Sequence, residues 1–201
     1  MAKNKGRIQW ERERPTAPPR RRMPVWVWAI VALIVLGGVV AAVTSFNKNQ
    51  DRSAGQSDIK KVTIETAKGN IVLEVYMKLM PITGQNFIKL VEDGFYNIAG
   101  MTFHRVEDWV IQAGDPTGTG MGGYSETIRL EVNPQLKNHR GMVGMARGQS
   151  LNSASSQFYI LKKDASWLDG KYAVFAKVVE GMDVVDKIAV KDAILNVRVT
   201  K

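Results

Sequence analysis

The chain has 201 residues, 45% hydrophobic and 23% charged, a balance that suits one folded domain with an appendage and excludes a wholly disordered chain. With no cysteine and two histidines, His104 and His139, it has no disulfide framework, no thiol nucleophile and no histidine-rich zinc site, so no metal or cofactor is expected. The net charge of +9 is unevenly spread: residues 1–22 hold eight bases against two acids, six of the nine net charges, and the nearly neutral remainder offers no basic surface for nucleic acid.

Residues 1–24 read as a basic cytoplasmic tail. Residues 25–46 contain no charged side chain. As a helix rising 1.5 Å per residue they would span roughly 33 Å, enough for a hydrocarbon core of about 30 Å. Trp26 and Trp28 stand at its start, where amphipathic rings favour the membrane interface, and Arg20, Arg21 and Arg22 keep that end in the cytoplasm. The expectation is a single-pass signal anchor with everything after Asn47 exported. A cleaved signal peptide is the rival: Ala41, Ala42, Thr44 and Ser45 offer small residues for cleavage, but the apolar run exceeds the usual ~7–15 residues. Gly37 and Gly38 lack GxxxG spacing, so no helix dimer is inferred and a monomer is expected. Residues 47–57 are polar without an apolar period and read as a flexible linker. The folded domain is placed at residues 58–201.

Within that domain, residues 60–76 predict a β-hairpin: Val62 and Ile64 alternate with polar neighbours, and Ile71, Leu73 and Val75 do so again after a glycine-containing turn. Pro81 suits the first turn of a helix, Phe87, Ile88, Leu90 and Val91 form its apolar stripe, and Gly94 is its stop. Short strands are predicted at 102–106, 109–112, 141–146, 157–161 and 173–179. A second helix follows at 182–189 and a closing strand at 194–200. Strands dominate without a regular βαβ alternation, which points to a barrel or a sandwich.

Two chemical motifs fail on context. Gly118, Gly120 and Gly123 satisfy G-x-G-x-x-G, but no helix opens at the third glycine, so they are read as a tight connection. Ser155 or Ser156 with His104 lacks the G-x-S-x-G elbow of a serine hydrolase, and Arg105 beside the histidine lowers its basicity.

A third set of motifs carries further. Phe103-His104-Arg105-Val106, Gln112-Ala113-Gly114-Asp115 and Ser156-Gln157-Phe158 resemble the cyclophilin signature in the family's order and nearly its spacing, as do Phe95-Tyr96 and Trp167-Leu168-Asp169-Gly170. The resemblance covers residues 60–201. The loop from Ser153 to Phe158 and the short segment from Val106 to Val110 look like those of bacterial members.

The resemblance implies a mainly β fold, a closed eight-stranded antiparallel barrel capped by two helices. It also implies peptidyl-prolyl cis-trans isomerase activity. Rotation about X–Pro faces a barrier of about 18–20 kcal/mol, because the amide nitrogen shares its lone pair with the carbonyl. A fixed donor aimed at that nitrogen favours the twisted amide over either planar form. By similarity Arg105 supplies the donor, Gln112 and Gln157 hold Arg105 and the substrate carbonyl, and Trp109, Val110, Tyr159 and Leu168 line the proline socket. Ala146 and Arg147 flank the substrate backbone, and Trp167 and Tyr172 complete the rim. His104 reads as a satisfied structural residue rather than a base. The implied partners are proline-containing unfolded or exported proteins, with cyclosporin as an inhibitor; the implied location is a bacterial plasma membrane, with a eukaryotic endomembrane type II anchor as runner-up. A non-catalytic proline-peptide-binding module or a scaffold is the alternative. Trp109, Val110, Tyr159, Tyr172 and Arg147 each depart from the commonest residue of the family, and Ala113 and Ala176 stand where glycine is frequent, which would strain a left-handed backbone.

Overall fold

The computed structural model describes residues 58–200. The expected span at 25–46, its basic flank and the linker therefore lie outside the described residues. Among the described residues no helix is long and apolar enough to cross a membrane.

Eight strands form one antiparallel sheet: β1 (Ile59–Thr66), β2 (Gly69–Tyr76), β3 (Arg105–Val106), β4 (Val110–Ala113), β5 (Met142–Met145), β6 (Phe158–Leu161), β7 (Ala173–Glu180) and β8 (Ile194–Thr200), in the order β3-β4-β6-β5-β7-β2-β1-β8. Two helices, α1 (Pro81–Glu92) and α2 (Met182–Lys187), accompany it. The β1–β2 hairpin forms where alternation predicts it, pairing Val62 with Leu73 and Ile64 with Ile71, all fully buried. In its turn Thr66 Oγ1 donates to Gly69 O at 2.8 Å and accepts from Lys68 N at 3.1 Å.

Helix α1 starts at Pro81, whose missing N–H costs nothing in a first turn. The side chain of Glu131 accepts the free N–H groups of Ile82 and Thr83 at 3.2 and 2.8 Å, putting a carboxylate at the positive helix end. The predicted stripe is buried, and Gly94, at φ 73°, ends the helix with its N–H on Val91 O at 3.1 Å. Phe87 places its ring 5.0–5.5 Å from those of Tyr96, Phe158 and Phe175, so α1 plugs the concave side of the curled sheet.

The expected closed barrel is corrected by the strand pairing. The sheet has two ends, β3 and β8, joined at the seam by one isolated bridge between Thr102 and Ala193. Backbone bonds from Phe103 N to Asp192 O (3.0 Å), Lys191 N to Phe103 O (2.9 Å) and Ile194 N to Met101 O (2.9 Å) stitch that gap. A ladder cannot extend there because β3 is two residues long and reverses at once, Glu107 N reaching Val110 O at 2.8 Å. The strand predicted at 102–106 accordingly shrinks to Arg105–Val106. The edge of β8 is covered locally by Asn97, which donates to Val197 O at 3.2 Å and accepts from Val197 N at 2.6 Å. Lys191 is the described non-glycine residue with positive φ, so Ala113 and Ala176 carry no left-handed strain. Both are fully buried in the main core.

Strand β6 is apolar on both faces and β4 on all but Gln112 of its outer face, and this positions the site. Ile111, Ala113, Phe158 and Ile160 face the main core. Their neighbours Val110, Tyr159 and Leu161 form a second cluster with Ala165, against which Trp109, Met142, Ala146, Leu168 and Tyr172 pack. The strand period of two makes the separation: alternate residues leave opposite faces of the sheet.

Candidate active site

On that outer face, register brings Arg105 of β3 opposite Gln112 of β4, and Gln112 opposite Tyr159 of β6. Arg105 Nη1 donates to Gln112 Oε1 at 3.3 Å, and Arg105 Nε donates to Glu107 Oε1 at 2.6 Å. The Glu107 carboxylate also accepts from Trp109 Nε1 at 2.8 Å, and the guanidinium carbon stands 5.3 Å from the centre of the Trp109 ring. The hydrogen bond from Arg105 holds the Glu107 carboxyl below its ordinary range. Among the described residues no hydrogen bond engages Nη2 of Arg105, so these donors are free for a ligand.

The amide orientations follow from one end of a chain. Gln157 Nε2 donates to two backbone carbonyls, Gly120 O at 3.0 Å and Gly122 O at 2.6 Å. Its Oε1 must therefore accept, and it takes Gln112 Nε2 at 2.7 Å. Gln112 Oε1 is left to accept from Arg105. Gln157 thus acts on Arg105 through Gln112 and not by direct contact.

The carbonyls that start the chain belong to a loop wrapped round Asp115. This fully buried carboxylate accepts from Thr117 N, Thr117 Oγ1, Thr119 Oγ1, Gly120 N and Gly122 N. Burial alone would raise its pKa, but the bonds from Thr117, Gly122 and Gly120 outweigh it and bring it down to about 2. The Gly118-Gly120-Gly123 pattern lies in this loop, as the tight connection predicted. Ser156 is fully buried, its hydroxyl donating to Gly114 O at 2.7 Å and accepting Tyr124 N at 2.9 Å, so it serves the packing.

A cavity of about 270 Å³ opens beside Arg105. Trp109, Val110, Gln112, Ala146, Arg147, Tyr159, Leu168 and Tyr172 line it, which gathers all but two of the expected site residues. Gln157 lies behind Gln112. Trp167 stands outside the lining, 55% exposed, with its ring 5.4 Å from that of Trp109. Tyr159 is pinned at the cavity floor: its hydroxyl donates to Asn138 Oδ1 at 2.8 Å, and Asn138 donates to Asp169 Oδ1 from both backbone and side chain at 2.8 and 2.9 Å. Burial pushes the Tyr159 phenol up, so it stays protonated and remains a donor. Room for its ring exists because residue 144 lacks a side chain; a Cβ there would fall 2.2 Å from the ring.

His104 lies beside the Gln157 side chain, with neither ring nitrogen in close hydrogen-bond geometry among the described residues. Burial lowers its pKa, so the imidazole is neutral at pH 7. Glu107, Asp115, Asn138 and Asp169 are the positioning residues that the sequence reading left without a role. Only the contacts just described give them one. Among the described residues no three His, Cys, Asp or Glu side chains gather as a metal-ligand set.

The comparisons with known proteins decide the family. The family model described as cyclophilin type peptidyl-prolyl cis-trans isomerase matches residues 61–201, most of the chain. The chain belongs to that family. Its relatives include a peptidyl-prolyl cis-trans isomerase of Helicobacter pylori, 44% identical over 140 residues, covering 67% of this chain and 83% of the relative. Another is the peptidyl-prolyl cis-trans isomerase-like 1 of Rhizopus delemar, 40% identical over 137 residues, covering 66% and 81%. A solved cyclophilin-type isomerase of Cryptosporidium parvum superposes with a TM-score of 0.65 at 28% identity, over 71% of this chain and 98% of that one. The same protein has been solved in the presence of the dipeptide Ala-Pro, with a TM-score of 0.64. This cyclophilin is therefore a peptidyl-prolyl cis-trans isomerase, and its reaction is rotation about the X–Pro bond.

Proposed function

We propose that this isomerase acts on proline-containing segments of exported proteins, and that Arg105 drives the rotation by stabilising the twisted amide. The observation that carries the mechanism is the unengaged Nη2 of Arg105 at the mouth of an apolar cavity, with its other nitrogens held by Glu107 and Gln112. A proline ring packs between Tyr159, Val110 and Leu168, and the preceding amide comes to Arg105. As the amide twists, the nitrogen lone pair leaves conjugation with the carbonyl and becomes a better acceptor. A donor already fixed in place interacts most strongly at that point, which lowers the barrier without tightening the ground state. Guanidinium suits the task because it stays charged and its planar fork lets two nitrogens be anchored while the third is presented. No covalent bond or proton transfer is needed. Turnover of a proline tetrapeptide by the wild type, and its loss in the Arg105 variant discussed below, test the mechanism.

The exported role rests on charge asymmetry. The uncharged stretch 25–46 follows Arg20, Arg21 and Arg22, and this order favours a plasma-membrane anchor with the N-terminus in the cytoplasm and the isomerase domain outside. A type II anchor in a eukaryotic endomembrane is the alternative setting with the same topology. Protease added to spheroplasts is expected to digest the isomerase domain and spare the N-terminal tail. A protected domain, or release of soluble protein beginning after residue 40, would reject the anchor.

Cyclosporin inhibition is part of the same proposal. The exposed indole of Trp167 has no hydrogen-bond partner among the described residues and meets Trp109 edge to face, so its N–H is open to a peptide carbonyl. Trp167→Phe is expected to weaken inhibition roughly three- to ten-fold, the worth of one net hydrogen bond. Equal inhibition of the two proteins would remove Trp167 from the drug contact.

A further inference from the structure

A second, larger cavity of about 400 Å³ adjoins the proline cavity and shares Gln112, Ala146 and Arg147 with it. Four glycines line it, Gly120, Gly122, Gly123 and Gly148, with Ser153, Ser155 and Tyr124 among the side chains beside them. Arg147 is the single charged residue in the lining.

The setting of that guanidinium is unlike those of Arg105, Arg140 and Arg198, each of which meets a carboxylate at 2.6–2.9 Å. Arg147 is held by carbonyls. Its Nε and Nη2 donate to Lys171 O at 3.2 and 3.1 Å, and its Nη1 donates to Gly148 O at 2.9 Å and Gln149 O at 3.4 Å. The Tyr172 ring centre lies 4.8 Å from its central carbon. These contacts fix the side chain before any ligand arrives, so little rotamer entropy remains to be lost on binding. They leave the full charge without a counter-ion, and with five N–H groups against four contacts they leave one donor on Nη2.

Ser155 adds a second free group: among the described residues no hydrogen bond engages its hydroxyl. The Asp115 carboxylate lies beneath the loop with five donor contacts over it. Lys89, 5.4 Å from the centre of the Tyr124 ring, is paired with Asp93 at 2.7 Å and adds no net charge. The cavity is thus polar, roomy enough for one long side chain, and charged by Arg147 alone among its lining residues.

We infer that the second cavity is an anion-accepting subsite that takes an Asp or Glu side chain of the substrate, with Arg147 setting the preference. The inference rests on the proline occupying the first cavity. Because the two cavities share a wall and an extended peptide advances about 3.3 Å per residue, the acidic residue lies about two or three positions from the proline.

The test is a set of proline peptides carrying Glu, Gln or Lys at each of three positions on either side of the proline, assayed with the full chain. At one position Glu is expected to exceed Gln in kcat/KM by about three- to ten-fold, with Lys below Gln. The advantage should shrink as salt rises, since a partly exposed pair is screened. Arg147 also borders the proline cavity, so the readout is the Glu-to-Gln ratio and not the absolute rate. Arg147→Gln should abolish the difference, and Arg147→Glu should invert it. Equal turnover of Glu and Gln peptides at every position, or a Glu preference that survives Arg147→Gln, overturns the inference. If Arg105→Ala slows the Gln peptide while Glu confers no advantage, the subsite fails and the proline-cavity reading stands. If Arg105→Ala changes turnover of no peptide, that reading fails instead, and the Kd values of the same Glu and Gln peptides, measured by calorimetry, decide the subsite independently.

Discussion

Arg105→Ala is expected to lower kcat/KM by on the order of 10²–10³, equivalent to about 2.7–4 kcal/mol of transition-state stabilisation. Binding of a ground-state proline peptide should change far less, because the apolar walls at Val110, Tyr159 and Leu168 remain. Arg105→Lys should recover little. An ammonium has the charge, but it cannot hold Glu107 and Gln112 at once and still present a third nitrogen. His104→Gln should keep turnover: the imidazole is neutral and no proton is moved. The measurements are protease-coupled or NMR exchange rates with peptide affinity in parallel, and thermal melts to confirm folding. A folded Arg105→Ala with wild-type turnover would refute the electrostatic mechanism. Proline-peptide binding by a wild type that has no turnover would favour the binding-module alternative.

The second large effect is expected from Asp115, which touches no substrate. Asp115→Ala would remove the shared acceptor of the Thr117, Gly120 and Gly122 N–H groups in a partly exposed loop, at a cost of about 1–3 kcal/mol in stability. Asp115→Asn keeps the volume and is the more informative variant. Its amide group must face at least one of the same donors, so the loop that carries Gly120 O and Gly122 O shifts. Those carbonyls orient Gln157, which orients Gln112, which orients Arg105. The expected signature is a fall in kcat of roughly ten-fold with KM nearly unchanged, since the proline cavity is untouched while the transition-state donor is misaimed. A purely structural role would lower stability and leave kcat of the folded fraction intact.

The same residue gives a pH dependence whose sign is fixed. Its carboxyl is depressed in the folded state from the ordinary 3.8 to about 2. The stabilisation is therefore present above the unfolded value and is lost as pH falls through the folded one. Chemical denaturation between pH 5 and about 2 should show wild-type stability falling across that window and Asp115→Asn falling less steeply. Parallel slopes would mean that another carboxylate dominates the acid limb.

Much of this protein is legible without coordinates, and for a local reason. The β1–β2 hairpin, α1, β7 and β8 are long enough for their apolar period to repeat, and Pro81 and Gly94 mark the ends of α1 by backbone restrictions of their own. The site residues Arg105, Gln112, Gln157, Trp109, Tyr159 and Leu168 are legible through the resemblance of their motifs. Periodicity alone could not have found them. The short strands are where local pattern fails. β6 is four residues long and buried on both faces, so it has no alternation to show which side carries the site. Only pairing with β4 and β5 sends Phe158 and Ile160 to the core and Tyr159 to the cavity. The open seam between β3 and β8, the chain from Gln157 to Arg105, and the carbonyl clamp on Arg147 are likewise decided by tertiary structure. Gln112 and Gln157 are 45 residues apart, and Arg147 and Lys171 are 24. Contacts at such separations are set by how the sheet curls and which backbone groups it leaves unpaired, and no window along the sequence contains both partners.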